Sequence, residues 1–285
     1  MLLEEALGHK HVTVTEISEA GSVPEIVVVN SADQPVLILD GEELLGAKQN
    51  RIVNLTIMVP PRTTLRIPVS CVEAGRWHAE SSVFESSPYL QYPSARAAKL
   101  RAVSCEMRLS GRQRSDQAAI WADIEAKSSR MGVRSPTSAM RDLYDHHLPR
   151  LEEYTNALTF TANQRGALFA VDGKVRGLEL FDHPATLRRL LPKLIRSYAL
   201  DALDSFQPRA AAPRLAAAAA FLRLLVRIRV HEEPALGFGT DLRLESRTVV
   251  AGALVALGGL VHLCAFRFSK AAWGGGFIHW RSRYH

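Results

Sequence analysis

Alternation of apolar and polar positions over roughly the first 70 residues predicts a run of short β-strands. The predicted strands are rich in β-branched residues and are separated by turn signals such as Ser-Ala-Asp-Gln-Pro. They cover residues 11–17, 25–30, 35–40, 51–59 and 64–72. Because no helical segment separates them, we expect antiparallel pairing in a β-sandwich or a partial barrel.

From Pro93 onward the alternation gives way to a helical pattern. Segments rich in good helix formers begin near Pro93, Ser115, Ser135 and Leu148. Each of these four helices is short, and isolated short helices are marginally stable in water. We therefore expect a helical insertion that packs on the sheet.

Strands and helices are interleaved in the last part of the chain. Asp172-Gly173 lies between two alternating apolar runs and predicts a β-hairpin. A helix with a broad apolar stripe follows, and Pro192 inside it predicts a kink or a restart. We expect one α+β domain and a flexible tail. Their ranges are 1–268 for the domain (β-rich 10–78, helical 93–158, β/α 165–268) and 269–285 for the tail.

An apolar run at residues 249–266 is long enough to be compared with a membrane span. His262 is its only polar side chain, and arginines flank both ends. However, Gly258-Gly259 near its centre predicts a tight turn, and valine-rich halves are typical of strands. We favour a buried hairpin over a transmembrane helix and expect no membrane association.

Composition and charge narrow the class of protein only slightly. The chain has 285 residues, 22% of them charged, with a formal net charge of +6. This charge is compatible with an anionic ligand, a nucleic acid or a membrane surface. The three cysteines are far apart and form no CxxC pair, which favours a reducing, cytoplasmic environment.

One polar segment, Asp-Gly-Glu-Glu-Leu-Leu-Gly-Ala-Lys-Gln-Asn-Arg at 40–51, supplies the first candidate site residues. The amides of Gln49 and Asn50 can recognise a donor and acceptor edge. Cationic side chains beside them, Lys48 and Arg51, can neutralise an anion.

Two acidic side chains in the same polar segment leave several interpretations open. Glu42 and Glu43 are candidates for acid–base chemistry. They could also form ion pairs with Lys48 and Arg51, or lie in a solvated loop.

A second polar segment follows the strand that ends at Val72. Arg76 and Trp77 form a pair suited to stacking and charge recognition, and Glu73 is a second candidate general base. Cys71 lies within the strand and is expected in the core rather than as a nucleophile. We expect neighbouring strands to bring the two polar segments together at a common rim.

The remaining polar features favour no cofactor or metal site. Cations concentrated between Arg96 and Arg114 are interpreted as a solvated helix face in preference to a phosphate-binding surface. His146 and His147 are adjacent, which makes them a poor pair of metal ligands on a helix. His262 is expected to be a hydrogen-bonded core histidine. The chain has no P-loop, HExxH or GxSxG motif.

Several segments together resemble an uncharacterised bacterial family named for its association with ADP-ribosylglycohydrolases and rhodanese-phosphatase proteins. The resemblance extends over about residues 10–268 and implies no specific catalytic residues. The segments that carry it are DGEELLGAKQNRIVN, IPVSCVEAGRW, DQAAIWADI, SPTSAM, GLELFDHP, GTDLRLE and VHLCAF.

Three functions are compatible with these residues and this resemblance. The first is a binding module for an anionic nucleotide or an ADP-ribose-like ligand, with Trp77 stacked on the base and the arginines facing phosphates. The second is a hydrolase of such a ligand with Glu42 or Glu73 as general base. The third is a structural scaffold. The resemblance implies ADP-ribosylglycohydrolase-pathway partners by association only, and we do not expect nucleic-acid binding.

Overall fold

The structure is a computed structural model that describes residues 1–18, 24–78, 81–205 and 212–268. It consists of antiparallel sheets and helices. One sheet curls into a half-barrel with helices packed on it, which confirms the expected α+β class. The predicted flexible tail, 269–285, lies outside the described residues.

The first six-stranded sheet contains most of the strands predicted in the amino-terminal part of the chain. Its order is β1 (Val12–Glu16), β2 (Glu25–Asn30), β7 (Thr63–Cys71), β5 (Arg51–Val53), β4 (Glu42–Gly46) and β8 (Phe84–Leu90). A separate two-stranded sheet pairs β3 (Val36–Ile38) with β6 (Ile57–Val59). The continuous strand predicted over 51–59 is therefore two strands that belong to different sheets.

A second six-stranded sheet is built from the last part of the chain. Its order is β11 (Val230–Pro234), β12 (Thr240–Glu245), β13 (Val249–Ala256), β14 (Gly259–Arg267), β10 (Lys174–Phe181) and β9 (Gly166–Val171). Hairpins join β9 to β10 at Asp172-Gly173 and β13 to β14 at Leu257-Gly258. The apolar run at 249–266 is thus a hairpin, as predicted. In the described ranges, no helix is long and apolar enough to cross a bilayer.

Within the described residues, six helices pack against these sheets. They are α1 (Leu3–Gly8), α2 (Pro93–Ser110), α3 (Gln117–Met131), α4 (Met140–Ala157), α5 (Pro184–Asp204) and α6 (Leu215–Leu225). Proline at the first position starts α2, and Gly111 ends it with φ +70°. Asp116 caps α3 by accepting a hydrogen bond from Ala119 N at 3.0 Å.

Two prolines lie inside continuous helices, among them Pro192, at which a kink or a restart was predicted. Pro149 lies within α4, so the last two of the four predicted short helices are one helix. Pro192 lies within α5, which begins at Pro184. Both helices are held by apolar side chains on neighbouring elements, including Leu143 of α4 and Leu200 of α5. Tertiary packing therefore offsets the missing backbone hydrogen bonds.

Candidate functional site

A tight turn between β4 and β5 presents the first polar segment. Gly46 adopts φ +112° and Ala47 φ +44°, so the chain reverses within a few residues. The side chain of Asn50 closes the turn, because its Oδ1 accepts a hydrogen bond from Gly46 N at 3.2 Å. The polar segment at 40–51 therefore consists largely of strand β4 and this turn.

Strand pairing brings the second polar segment to the same place. Arg51 of β5 pairs with Cys71 of β7, and Val72 N donates to Asn50 O at 3.0 Å just beyond. Glu73 follows directly and lies beside Asn50. The two segments converge as expected. We call this place the Trp77 site, formed by Lys48, Gln49, Asn50, Arg51, Glu73, Arg76 and Trp77.

Glu73 is the hydrogen-bonding centre of the Trp77 site. Its Oε2 accepts from Arg76 NH2 at 2.7 Å and from Asn50 N at 3.1 Å, and its Oε1 accepts from Thr137 Oγ1 at 2.9 Å. Gln49 Nε2 donates to the backbone oxygen of Glu73 at 2.8 Å. Burial raises the pKa of Glu73, but these hydrogen bonds, led by that of Arg76, bring the pKa below its ordinary value.

Both arginines of the site are buried and bonded to protein atoms. Arg51 is fully buried; it donates to Gln49 Oε1 at 2.9 Å, contacts the Cys71 sulfur, and pairs with Glu16 Oε1 at 3.3 Å. Arg76 NH1 donates to Ala47 O at 2.9 Å. These contacts make the guanidinium groups part of the framework that fixes the two segments.

The Trp77 indole forms the surface of the site. It is 49% exposed, in contrast to the buried network behind it. Lys48 Nζ lies 5.5 Å from the ring centroid and Arg51 Cζ lies 5.9 Å from it. Two cationic side chains therefore lie within cation–π distance of the accessible aromatic ring.

The two glutamates of the first segment lie on opposite faces of β4, away from this network. Glu42 accepts from Leu39 N at 3.2 Å and lies 3.7 Å from Lys193 Nζ. It lines a cavity of about 100 Å³ together with Glu4, Arg189 and other residues of α1 and α5. Burial raises the pKa of Glu42, although Lys193 opposes the shift.

Glu43 is buried on the other face, where Ser87 Oγ donates to its Oε2 at 2.6 Å. Burial raises its pKa to about 7. Both glutamates are buried, so the interpretation that they lie in a solvated loop is wrong. Their side chains bind other residues than Lys48 and Arg51, so the interpretation that they form ion pairs with these two cations is also wrong.

A buried cluster of charged side chains was missed by the sequence analysis. Arg96 NH1 donates to Glu179 Oε1 at 2.7 Å, and Arg96 Nε lies 3.3 Å from Asp40 Oδ2. Lys99 Nζ pairs with Asp40 Oδ1 at 2.6 Å. The expectation of a solvated basic face is wrong for Arg96 and Lys99. A signal was present, because Arg96 lies in the same helical stripe as Leu100 and Val103, which are buried.

This buried cluster continues through His262, a hydrogen-bonded core histidine as expected. His262 Nε2 lies 3.0 Å from Glu179 Oε2, and Nδ1 lies 2.8 Å from Thr56 Oγ1. A hydroxyl, an imidazole and a carboxylate in a row resemble the order of a hydrolytic triad. However, the cavity beside Thr56 has a volume of about 10 Å³, enough for one water molecule and no substrate.

Comparison with known proteins gives one match. The model of the ARG and Rhodanese-Phosphatase-superfamily-associated Protein domain, ARPP-1, matches residues 1–266. No curated protein and no solved structure matches the chain. The matched region contains every residue of the Trp77 site and of the buried charge cluster.

Proposed function

Because the chain belongs to the ARPP-1 domain family, whose name refers to ADP-ribosylglycohydrolase-associated proteins, we propose that it binds an anionic nucleotide or an ADP-ribose-like ligand. The observation that supports this proposal is the exposed Trp77 ring flanked by Lys48. An indole can stack on an adenine ring, and an ammonium group can pair with a phosphate.

The charge of the Trp77 site favours an anion over a cation. Lys48 and Arg51 both lie within 6 Å of the Trp77 ring centroid, so positive charge lies close to the accessible ring. Such a field increases the local concentration of anionic ligands.

The proposal divides the predicted ligand-binding residues into two groups. Trp77 contacts the ligand directly, and Lys48 lies beside its ring. Buried residues behind them, Gln49, Asn50, Arg51 and Arg76, hold the two segments in place. The sequence suggested that the arginines face phosphates. We assign them to the supporting group instead, because both guanidinium groups already bind protein atoms.

The proposal is tested by isothermal titration calorimetry with ADP-ribose, ADP, adenosine and ribose 5-phosphate. We expect ADP-ribose to bind more tightly than adenosine or ribose 5-phosphate. Trp77→Ala should weaken ADP-ribose binding by about tenfold or more, since stacking on one base contributes about 1–3 kcal/mol. Trp77→Phe should retain most of the affinity.

A matched control for these variants is Trp121→Phe, because Trp121 lies in α3 outside the site. It should leave the affinity unchanged. If neither ADP-ribose nor NAD nor a nucleotide raises the melting temperature at millimolar concentration, the binding function is rejected. That outcome would favour the scaffold function instead.

Hydrolysis is a second candidate function, supported by the surroundings of Glu42. This carboxyl lines a cavity of about 100 Å³, and burial raises its pKa above the ordinary value, which is the direction that favours a general base. Glu73 is less suited to proton abstraction, because the three hydrogen bonds to its carboxylate and its lowered pKa favour a positioning role.

The hydrolase candidate is tested by incubating the protein with ADP-ribosylated substrates and following the release of ADP-ribose. Glu42→Gln should abolish turnover. Glu4→Gln, which changes a more exposed carboxyl at the same cavity, should not. Turnover by Glu42→Gln at the rate of the unmodified protein would exclude Glu42 as the base.

The chemistry of the cysteines supports a cytoplasmic location for either function. The thiols of Cys71, Cys105 and Cys264 are all free, and two of them are buried. A reducing compartment maintains unpaired thiols.

A further inference from the structure

Strand β11 forms an exposed edge of the second sheet. It is the terminal strand of that sheet and pairs with β12 on one side. All five of its residues, Val230–Pro234, are exposed, whereas every other strand of this sheet buries at least one side chain. The outer backbone edge of such a strand can pair with a further strand.

Helix α6 exposes an apolar stripe just before this edge. Leu215, Leu222 and Val226 are separated by seven and four residues, which places them on one side of the helix. They are 90%, 43% and 82% exposed, while Phe221 and Leu225 on the other side are buried against the sheet. The chain then reaches β11 through only four residues, 226–229. We call the apolar stripe and β11 together the β11 edge surface.

The charge order along this segment is self-complementary. Arg227 and Arg229 come before His231, and Glu232 and Glu233 come after it; all five side chains are exposed. When two copies of this segment lie antiparallel, the basic connection before each β11 faces the acidic part of β11 in the other copy. A two-fold axis at His231 places Arg229 opposite Glu233 of the partner subunit.

We propose that the β11 edge surface binds a second copy of this chain. Antiparallel pairing of β11 with β11 of the partner joins two six-stranded sheets into one continuous sheet. The two α6 helices lie on the same face of the joined sheet, and the Val226 end of each helix is the end nearest to β11 along the chain. A symmetric arrangement of this kind satisfies the backbone edge and the charges with a single partner.

Charge reversal at one pair of residues tests this interface. Sedimentation velocity of the full chain at micromolar concentration should give twice the chain mass of 31.4 kDa. Arg229→Glu and Glu233→Arg, each alone, place like charges opposite each other twice and should weaken the dimer by about tenfold or more. The double variant restores opposite charges and should restore the dimer.

Controls separate this interface from folding defects and from other occupants of the surface. Lys174→Glu, an exposed charge reversal on β10, should remain dimeric. Val226→Asp should be monomeric with an unchanged far-ultraviolet circular dichroism spectrum. A monomeric unmodified chain, or a double variant no more dimeric than the single variants, overturns the proposal. So does a dimer that appears only after residues 269–285 are removed, since that segment would then cover the surface.

Discussion

Glu43 shows at the scale of one residue how burial links stability to pH. Its side chain is fully buried, with Oε2 bonded to Ser87 and Oε1 without a hydrogen-bond partner. Burial raises its pKa from 4.5 to about 7, so between these values the folded protein binds more protons than the unfolded chain. The contribution of Glu43 to the free energy of unfolding therefore falls as the pH rises through this window.

Glu43→Gln removes this dependence while keeping an acceptor for Ser87. At pH 8 the variant should unfold at a higher urea concentration than the unmodified protein. Its free energy of unfolding should be higher by about 3 kcal/mol at most, because one pKa unit corresponds to about 1.4 kcal/mol. At pH 4.5 the two should differ little. Glu85→Gln, an exposed change on β8, is the matched control. Equal stabilisation by Glu43→Gln at both pH values would contradict the assignment.

The positions of the candidate site residues were predictable, but the bonds between them were not. Alternation and turn signals imply that strands ending near Asn50 and Val72 are neighbours, and the structure pairs them. Their burial depends on the helical insertion. Thr137, in the loop before α4, bonds to Glu73 from more than sixty residues away. A local pattern in the sequence cannot show that Arg51 and Arg76 are enclosed in this way.

At the scale of elements, the strands missed by the sequence analysis lack the alternation that defines a half-exposed strand. Strand β4 begins with Glu42 and Glu43, both buried, because helices cover both faces of the sheet there. Strand β8 contains two serines and Pro88. By contrast, Asp172-Gly173 and Gly258 indicated hairpins correctly, because turn geometry restricts the residue types that fit.

The hairpin turn between β13 and β14 contains backbone strain that a substitution can relieve. Leu257 adopts φ +54° and is 69% exposed, followed by Gly258 at φ +84°. Asparagine tolerates this conformation better than leucine, and Asn-Gly suits such a turn. Leu257→Asn should raise the free energy of unfolding by about 1 kcal/mol, measured by urea denaturation.

The control for this turn is Leu257→Ala, which removes the same exposed side chain but keeps a residue unsuited to positive φ. It should give little or no stabilisation. If alanine stabilised the protein as much as asparagine, the effect would come from the lost apolar exposure rather than from the backbone.

At the scale of the whole molecule, the buried charge cluster connects parts of the chain that are distant in sequence. Asp40 and Thr56 come from connections between the amino-terminal strands, Arg96 and Lys99 from α2, and Glu179 and His262 from the second sheet. Opposite charges at 2.6 and 2.7 Å compensate each other without solvent. Removing one partner leaves a buried charge uncompensated, which costs more than the pair itself contributes.

Arg96→Met tests this coupling, because it keeps an apolar stem in the helix and removes the charge between Asp40 and Glu179. We expect a loss of about 3–5 kcal/mol in the free energy of unfolding by urea denaturation. Arg101→Met on the same helix removes a half-exposed pair with Glu245 and should cost about 1 kcal/mol or less.

Neutralising the stranded carboxyl completes the test of the cluster. Adding Glu179→Gln to Arg96→Met removes the uncompensated charge and keeps an acceptor for His262, so the double variant should recover a large part of the loss. If Arg96→Met costs no more than Arg101→Met, the cluster does not hold the two sheets together. The opposite outcome is a loss in free energy of unfolding of the double variant that equals the sum of the losses of Arg96→Met and Glu179→Gln measured separately. In that case the two side chains act independently, and their mutual compensation does not contribute to stability.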